Sequence, residues 1–126
     1  MAYDIETIKD RYASGAYDYR VKLPNKLSDT HVFDADLTIK ENRRLVAEHN
    51  AKVDELRKAY QEEHAKREKQ LHKDVVDYIV DCYCMSEGQA VLIENYVYDK
   101  YHSCMYDYFI EVDDMADFVK SVIEKE

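Results

Sequence analysis

Between Pro24 and Gly88 the chain runs for 63 residues with neither a glycine nor a proline. A sheet-rich fold reverses direction every few residues and draws on those two residue types for its turns, so a stretch this long without them predicts helices. Both ends of the stretch are punctuated. Thr38-Ile39-Lys40-Glu41 reads as a capping box, in which the threonine hydroxyl accepts from one unpaired backbone N–H and the glutamate reaches back to another. At the far end, Ser86-Glu87-Gly88-Gln89 offers a turn in which Ser86 and Gln89 are placed to cap a following helix.

The expected architecture is therefore all-α, one helical domain over residues 1–126: a long antiparallel, coiled-coil-like hairpin with a short N-terminal helix and an extended strap. Residues 4–14 predict the short helix, with Ile5, Ile8 and Tyr12 on one face and Gly15 as its stop. Residues 16–37 predict the strap, in which Tyr17, Tyr19, Val21 and Leu23 alternate with Asp18, Arg20 and Lys22 until Pro24. It suits a partner's edge strand, or it lies over the protein's own helices, which is the expectation here. Residues 38–85 predict the long helix. Its first part carries a thin apolar stripe near seven-residue spacing, Ile39, Val46, Val53, Leu56 and Tyr60. Pairs such as Glu48–Lys52, Asp54–Lys58, Glu62–Lys66 and Glu63–Arg67 run acid to base at i,i+4, each adding about 0.2–0.5 kcal/mol. Residues 71–85, by contrast, are apolar on nearly all sides and read as buried. Residues 89–124 carry a stripe from Ile93, Val97 and Tyr101 through Cys104, Met105, Tyr108, Phe109 and Val112. Met115, Phe118, Val119, Val122 and Ile123 continue it, and Asp113-Asp114 is the expected break and new N-cap.

Length limits how these pieces combine. An unbroken helix over residues 38–85 is about 70 Å long, against a radius of gyration near ~14 Å for a compact domain of this size. Either it breaks near residues 68–74 or it projects as an arm. In an unbroken hairpin turning at Gly88, the apolar residues 104–112 face the most polar stretch, residues 61–70. The C-terminal stripe must then find the N-terminal helix or a second copy of the chain, or the long helix must bend away. A homodimer is the preferred expectation.

Charge is uneven. Residues 1–74 balance, whereas residues 75–126 hold 12 acidic and 3 basic side chains, equal to the whole net charge of −9, together with seven of the twelve tyrosines. That field repels nucleic acid. Carboxylates and amphipathic tyrosine rings suit a basic protein surface, although an acidic solvated face with half-buried tyrosines has the same composition. Tyr96, Tyr101, Tyr106, Asp107, Asp113 and Asp117 are the expected exposed contact positions. No uncharged run approaches the ~18 residues of a membrane span. The acidic N-terminus, Met1-Ala2-Tyr3-Asp4-Ile5-Glu6, is unlike a signal peptide, and three cysteines fit a reduced, cytoplasmic setting.

Catalytic and metal signals are sparse. Cys82-x-Cys84 and His102-x-Cys104 supply the donor types of a tetrahedral zinc site, but residues two apart on a helix point away from one another. His49, His64 and His72 sit in or beside the charged stretch and read as solvated. His102 beside Ser103 and Cys104 has no orienting third group in helical spacing. Walker, HExxH and GxSxG motifs do not occur. The expectation is a non-enzymatic protein without cofactors.

Ser14-Gly15-Ala16-Tyr17-Asp18-Tyr19, Leu23-Pro24, and Tyr101-His102-Ser103 followed by Tyr106 and the run to Val122 resemble the layout of small accessory proteins of tailed bacteriophages. In those proteins glycines flank the His-Ser pair, where this chain has Lys100-Tyr101 and Cys104-Met105. The resemblance implies an origin in a phage genome, where many such proteins are non-enzymatic and some block host enzymes or defence systems, and it carries over no catalytic residue. Joined to the acidic, tyrosine-rich face, it gives the expectation of a protein in the host cytoplasm that inhibits or redirects a host protein, nucleic-acid-handling or defence proteins included. The alternatives are a self-associating structural protein and a zinc-binding module.

Overall fold

The computed structural model describes residues 2–125, so the first and last residues of the expected 1–126 domain lie outside it. Four helices follow in order: α1 (Ile5–Ala13), α2 (Ile39–Tyr83), α3 (Glu87–Tyr101) and α4 (Met105–Lys125). No strand occurs among the described residues. The all-α expectation holds, and so do the short first helix and the long second one. The chain divides into two compact units, Met1–Asp18 with Arg67–Glu126, and Tyr19–Lys66.

Local chemistry sets each helix end. Asp4 caps α1 by accepting from the Thr7 N–H at 2.7 Å, and this hydrogen bond holds its carboxyl below the ordinary aspartate range. Gly15, at φ 84°, closes α1 in a Schellman turn. Its N–H donates to the Tyr12 carbonyl at 3.1 Å, and that of Ala16 donates to the Arg11 carbonyl at 2.9 Å. The capping box read at Thr38 and Glu41 forms, at 3.1 and 3.3 Å. The second box forms at Ser86 and Gln89, at 3.2 and 3.4 Å. Between α2 and α3 the chain turns at Cys84, a non-glycine residue at φ 54°, and Met85 tucks into the core.

The second unit is the first part of α2 with the strap laid along it. Val46 and Val53 are buried on the face expected from their spacing. Asn50 takes the place of a strand partner for the strap: its Oδ1 accepts from the Leu27 N–H, and its Nδ2 donates to the Leu27 carbonyl, both at 2.8 Å. Asn42 pins the following turn, accepting from the Phe33 N–H at 3.1 Å and donating to the carbonyls of Asp34, Leu37 and Thr38 at 3.2–3.3 Å. Lys26 meets Asp54 at 2.7 Å, and the rings of Tyr19 and Tyr60 lie 5.9 Å apart. This side of α2 thus carries the chain's own strap, whereas Ile39 and Leu56 of the expected stripe are exposed.

The first unit holds the main core, built by α1, the last part of α2, α3 and α4. Ile8, Val75, Ile79, Ala90, Val97, Tyr108, Val112 and Ala116 are fully enclosed in it. Tyr17 is buried beside them and donates to Asp74 at 2.8 Å. Burial, reinforced by that carboxylate, pushes its phenol up to about 12.

The expected break at Asp113-Asp114 is not where the helix ends: both residues lie inside α4, and the chain breaks at His102–Cys104 instead. The physical reason is a long-range pairing. Tyr108 Oη donates to Glu94 at 3.1 Å, yet fourteen residues of unbroken helix would hold the two about 21 Å apart. Folding back at residue 102 lets both helices bury their apolar sides at once. It also resolves the mismatch between residues 104–112 and the polar stretch of α2, because the stripe finds the N-terminal helix. The Phe109 ring meets Tyr12 edge-on at 5.9 Å.

Candidate functional site

Helix α4 is apolar on two sides. Tyr108, Phe109, Val112 and Ala116 face the core. Tyr106, Ile110, Phe118 and Val122 recur at multiples of four residues and are exposed, Tyr106 by 73% and Phe118 by 65%. Asp114 falls in the same row and is exposed too. With 3.6 residues per turn, such a row forms one inclined ridge, and Asp107 and Asp117 flank it on its two sides. Lys9 of α1 lies 5.6 Å from the centre of the Tyr106 ring. Nearby lysines are engaged: Lys100 of α3 lies 3.8 Å from Glu111, and Lys120 of α4 lies 3.9 Å from Glu124. An aromatic and aliphatic ridge edged by carboxylates results.

The six contact positions read from the sequence fare unequally. Tyr96, Tyr106, Asp107 and Asp117 are exposed. Tyr101 is half-buried, with Lys100 5.0 Å from its ring centre. Asp113 is a correction: it is half-buried, and its Oδ1 accepts from the hydroxyls of Tyr78 and, at 3.0 Å, Tyr83. Burial chiefly, then this shared carboxylate, pushes the Tyr83 phenol up to about 12 and that of Tyr78 still further. Asp113 serves as an acceptor within the fold, holding two tyrosine hydroxyls, rather than as a freely exposed contact position. Conversely Ile110, Phe118 and Val122 join the exposed ridge, although Phe118 and Val122 had read as continuing the core stripe. The signal was available: α4 carries more apolar positions than one buried face can absorb.

A second cluster was missed. Glu94 of α3 is 0% exposed, although His72, read as solvated, is its neighbour. His72 Nδ1 contacts Glu94 Oε1, which also takes the Tyr108 hydroxyl, while among the described residues Oε2 has no partner. The imidazole is held edge-on to the Tyr98 ring at 4.3 Å, and the Tyr98 hydroxyl donates to Glu68. The hydrogen bond to Glu94 pushes His72 up against the opposing effect of its partial burial. Burial is the first cause raising Tyr98 and Tyr108, each next to a carboxylate. A buried carboxyl group, an imidazole and two phenols tie α2, α3 and α4 together. Its signal in the sequence was a lone acid, Glu94, in the helical row Ala90, Glu94, Val97 and Tyr101.

The zinc candidates do not assemble. Cys82, Cys84 and Cys104 are exposed free thiols and His102 is exposed. Among the described residues no three His, Cys, Asp or Glu side chains are grouped as a metal ion requires. The Cys82 thiol, though exposed, is pushed up by the desolvation of its inner side and by nearby Asp113 and Asp81, opposite to what a thiolate nucleophile needs. No described helix is long and apolar enough to cross a membrane.

Compared with protein-family models, with curated proteins and with solved structures, the chain matches none.

Proposed function

We propose that this is a non-enzymatic interaction protein, of the phage accessory kind its short motifs resemble, which binds a basic surface of a host protein and inhibits or redirects it from within the host cytoplasm. The reading rests on one observation above all: the outward side of α4 carries Tyr106, Ile110, Phe118 and Val122 exposed together with Asp107, Asp114 and Asp117. Exposed large side chains gathered along one row characterise docking surfaces. Carboxylates around them steer encounter with Lys- and Arg-rich partners and repel nucleic acid.

The test is capture from bacterial lysate on the tagged chain, at low and at high salt, with the Asp107→Lys, Asp114→Lys, Asp117→Lys triple variant in parallel. A basic protein held at low salt, released at high salt and absent from the variant is the expected result. Recovery by the variant equal to that by the native chain refutes the acidic face as the contact. Recovery of the bait alone, with sedimentation as a dimer, favours the self-associating structural protein instead.

A further inference from the structure

Resting on that reading, we infer that the partner segment seated on α4 is a basic amphipathic helix, laid along the row Tyr106–Ile110–Asp114–Phe118–Val122 with its apolar side inward and its lysines or arginines outward. The row spans residues 106–122, about 24 Å of helix, which is the reach of some four to five helical turns in a partner. An extended strand would meet it poorly, since every second side chain of a strand points away from the surface. Helix surfaces instead receive ridges spaced three and four residues apart, the spacing that α4 presents. Tyr106 and Phe118 supply the large anchors, being exposed by 73% and 65%.

Charge decides between this occupant and a second copy of the chain. The row is symmetric about Asp114, so pairing two α4 ridges over their full length, parallel or antiparallel, sets Asp114 against its own counterpart. Asp107 and Asp117 would then add four more carboxylates at the rim. Like charges brought together in a closing interface select against it. A basic helix meets Asp107 and Asp117 with opposite charge at the rim, and a lysine or arginine at the edge of its apolar side answers Asp114 between Ile110 and Phe118.

The probe is a fluorescein-labelled 18-residue peptide of leucine and lysine in helical period, compared with one in which glutamine replaces leucine and one in which glutamate replaces lysine. Fluorescence anisotropy against the full chain at 50 and 300 mM salt reads the affinities. The Leu/Lys peptide is expected to bind best and to weaken with salt, and Phe118→Ser, at an exposed position and with an unchanged circular dichroism spectrum, to lose about thirtyfold in affinity. Equal binding of the Gln/Lys peptide, equal binding of the Leu/Glu peptide, or indifference to Phe118→Ser overturns the inference. So does a dimer of the chain that Phe118→Ser dissociates. The broader proposal fails separately: salt-sensitive capture lost on Asp107, Asp114 and Asp117 reversal but untouched by Phe118→Ser leaves the acidic-face reading standing and removes the helix.

Discussion

Removing His72 should destabilise the first unit more than removing any surface side chain, and its pH dependence identifies the cause. Glu94 is wholly enclosed, and its Oε1 depends on two donors: the Tyr108 hydroxyl at 3.1 Å and His72, whose side chain is 29% exposed. His72→Ala leaves a buried carboxylate with one phenol and an unpartnered Oε2. Stranding a buried charge in this way costs about 3–5 kcal/mol. Glu94→Gln removes the charge but leaves an amide hydrogen-bonding group in the core, at about 1–3 kcal/mol. The double variant should then be more stable than His72→Ala alone, because a neutral amide tolerates the lost imidazole. The hydrogen bond to Glu94 raises His72, so its stabilisation is complete below the unfolded histidine value of about 6.5 and fades as pH rises through the higher folded one. Urea unfolding followed by circular dichroism and tyrosine fluorescence, at pH 6 and at pH 9, measures all of this. The gap between the native chain and His72→Ala should be widest at pH 6. A cost below about 1 kcal/mol there, a gap equal at both pH values, or a double variant no better than His72→Ala would refute the buried pair as the source.

Asp113 should separate from its neighbours on α4: Asp113→Ala strands the Tyr78 hydroxyl and should cost about 1–3 kcal/mol in urea unfolding, whereas Asp107→Ala and Asp117→Ala should stay within about 0.5 kcal/mol. Spectrophotometric titration should find the phenols of Tyr17, Tyr78, Tyr83, Tyr98 and Tyr108 ionising late. Each is raised above its unfolded value near 10, so stability is intact below about pH 10 and falls as pH climbs through the folded values; twelve tyrosines titrating together near pH 10 in the folded chain would contradict the burial described.

What could be read before the structure was what depends on neighbours in the chain. Both capping boxes are four-residue motifs, complete in themselves, and Thr38–Glu41 and Ser86–Gln89 form as written. Gly15 ends α1 because the Schellman turn needs φ above zero there. The buried row Val46 and Val53 follows from spacing alone. What covers that row does not, because Asn50 is an ordinary polar residue on a helix until the Leu27 backbone lies across it. The break at residues 102–104 is a tertiary event for the same reason. No glycine, proline or side-chain cap marks it, and Asp113-Asp114 offered the better local signal.

The two sites were hidden by opposite errors about charge. His72 follows a charged stretch, so counting neighbours made it solvated, yet the row it belongs to is decided by Leu71 and Val75, both buried. Glu94 counted as one more acid in an acidic segment, although its place among Ala90, Ile93 and Val97 puts it on the inner side of α3. The acidity of the segment alone puts Asp113 at the surface, and apolarity alone puts Phe118 and Val122 in the core. Position around the helix overrules both. Once Tyr108, Phe109, Val112 and Ala116 claim the inner side, residues 110, 118 and 122 have only the outer side left, which is the row on which the proposed partner would sit.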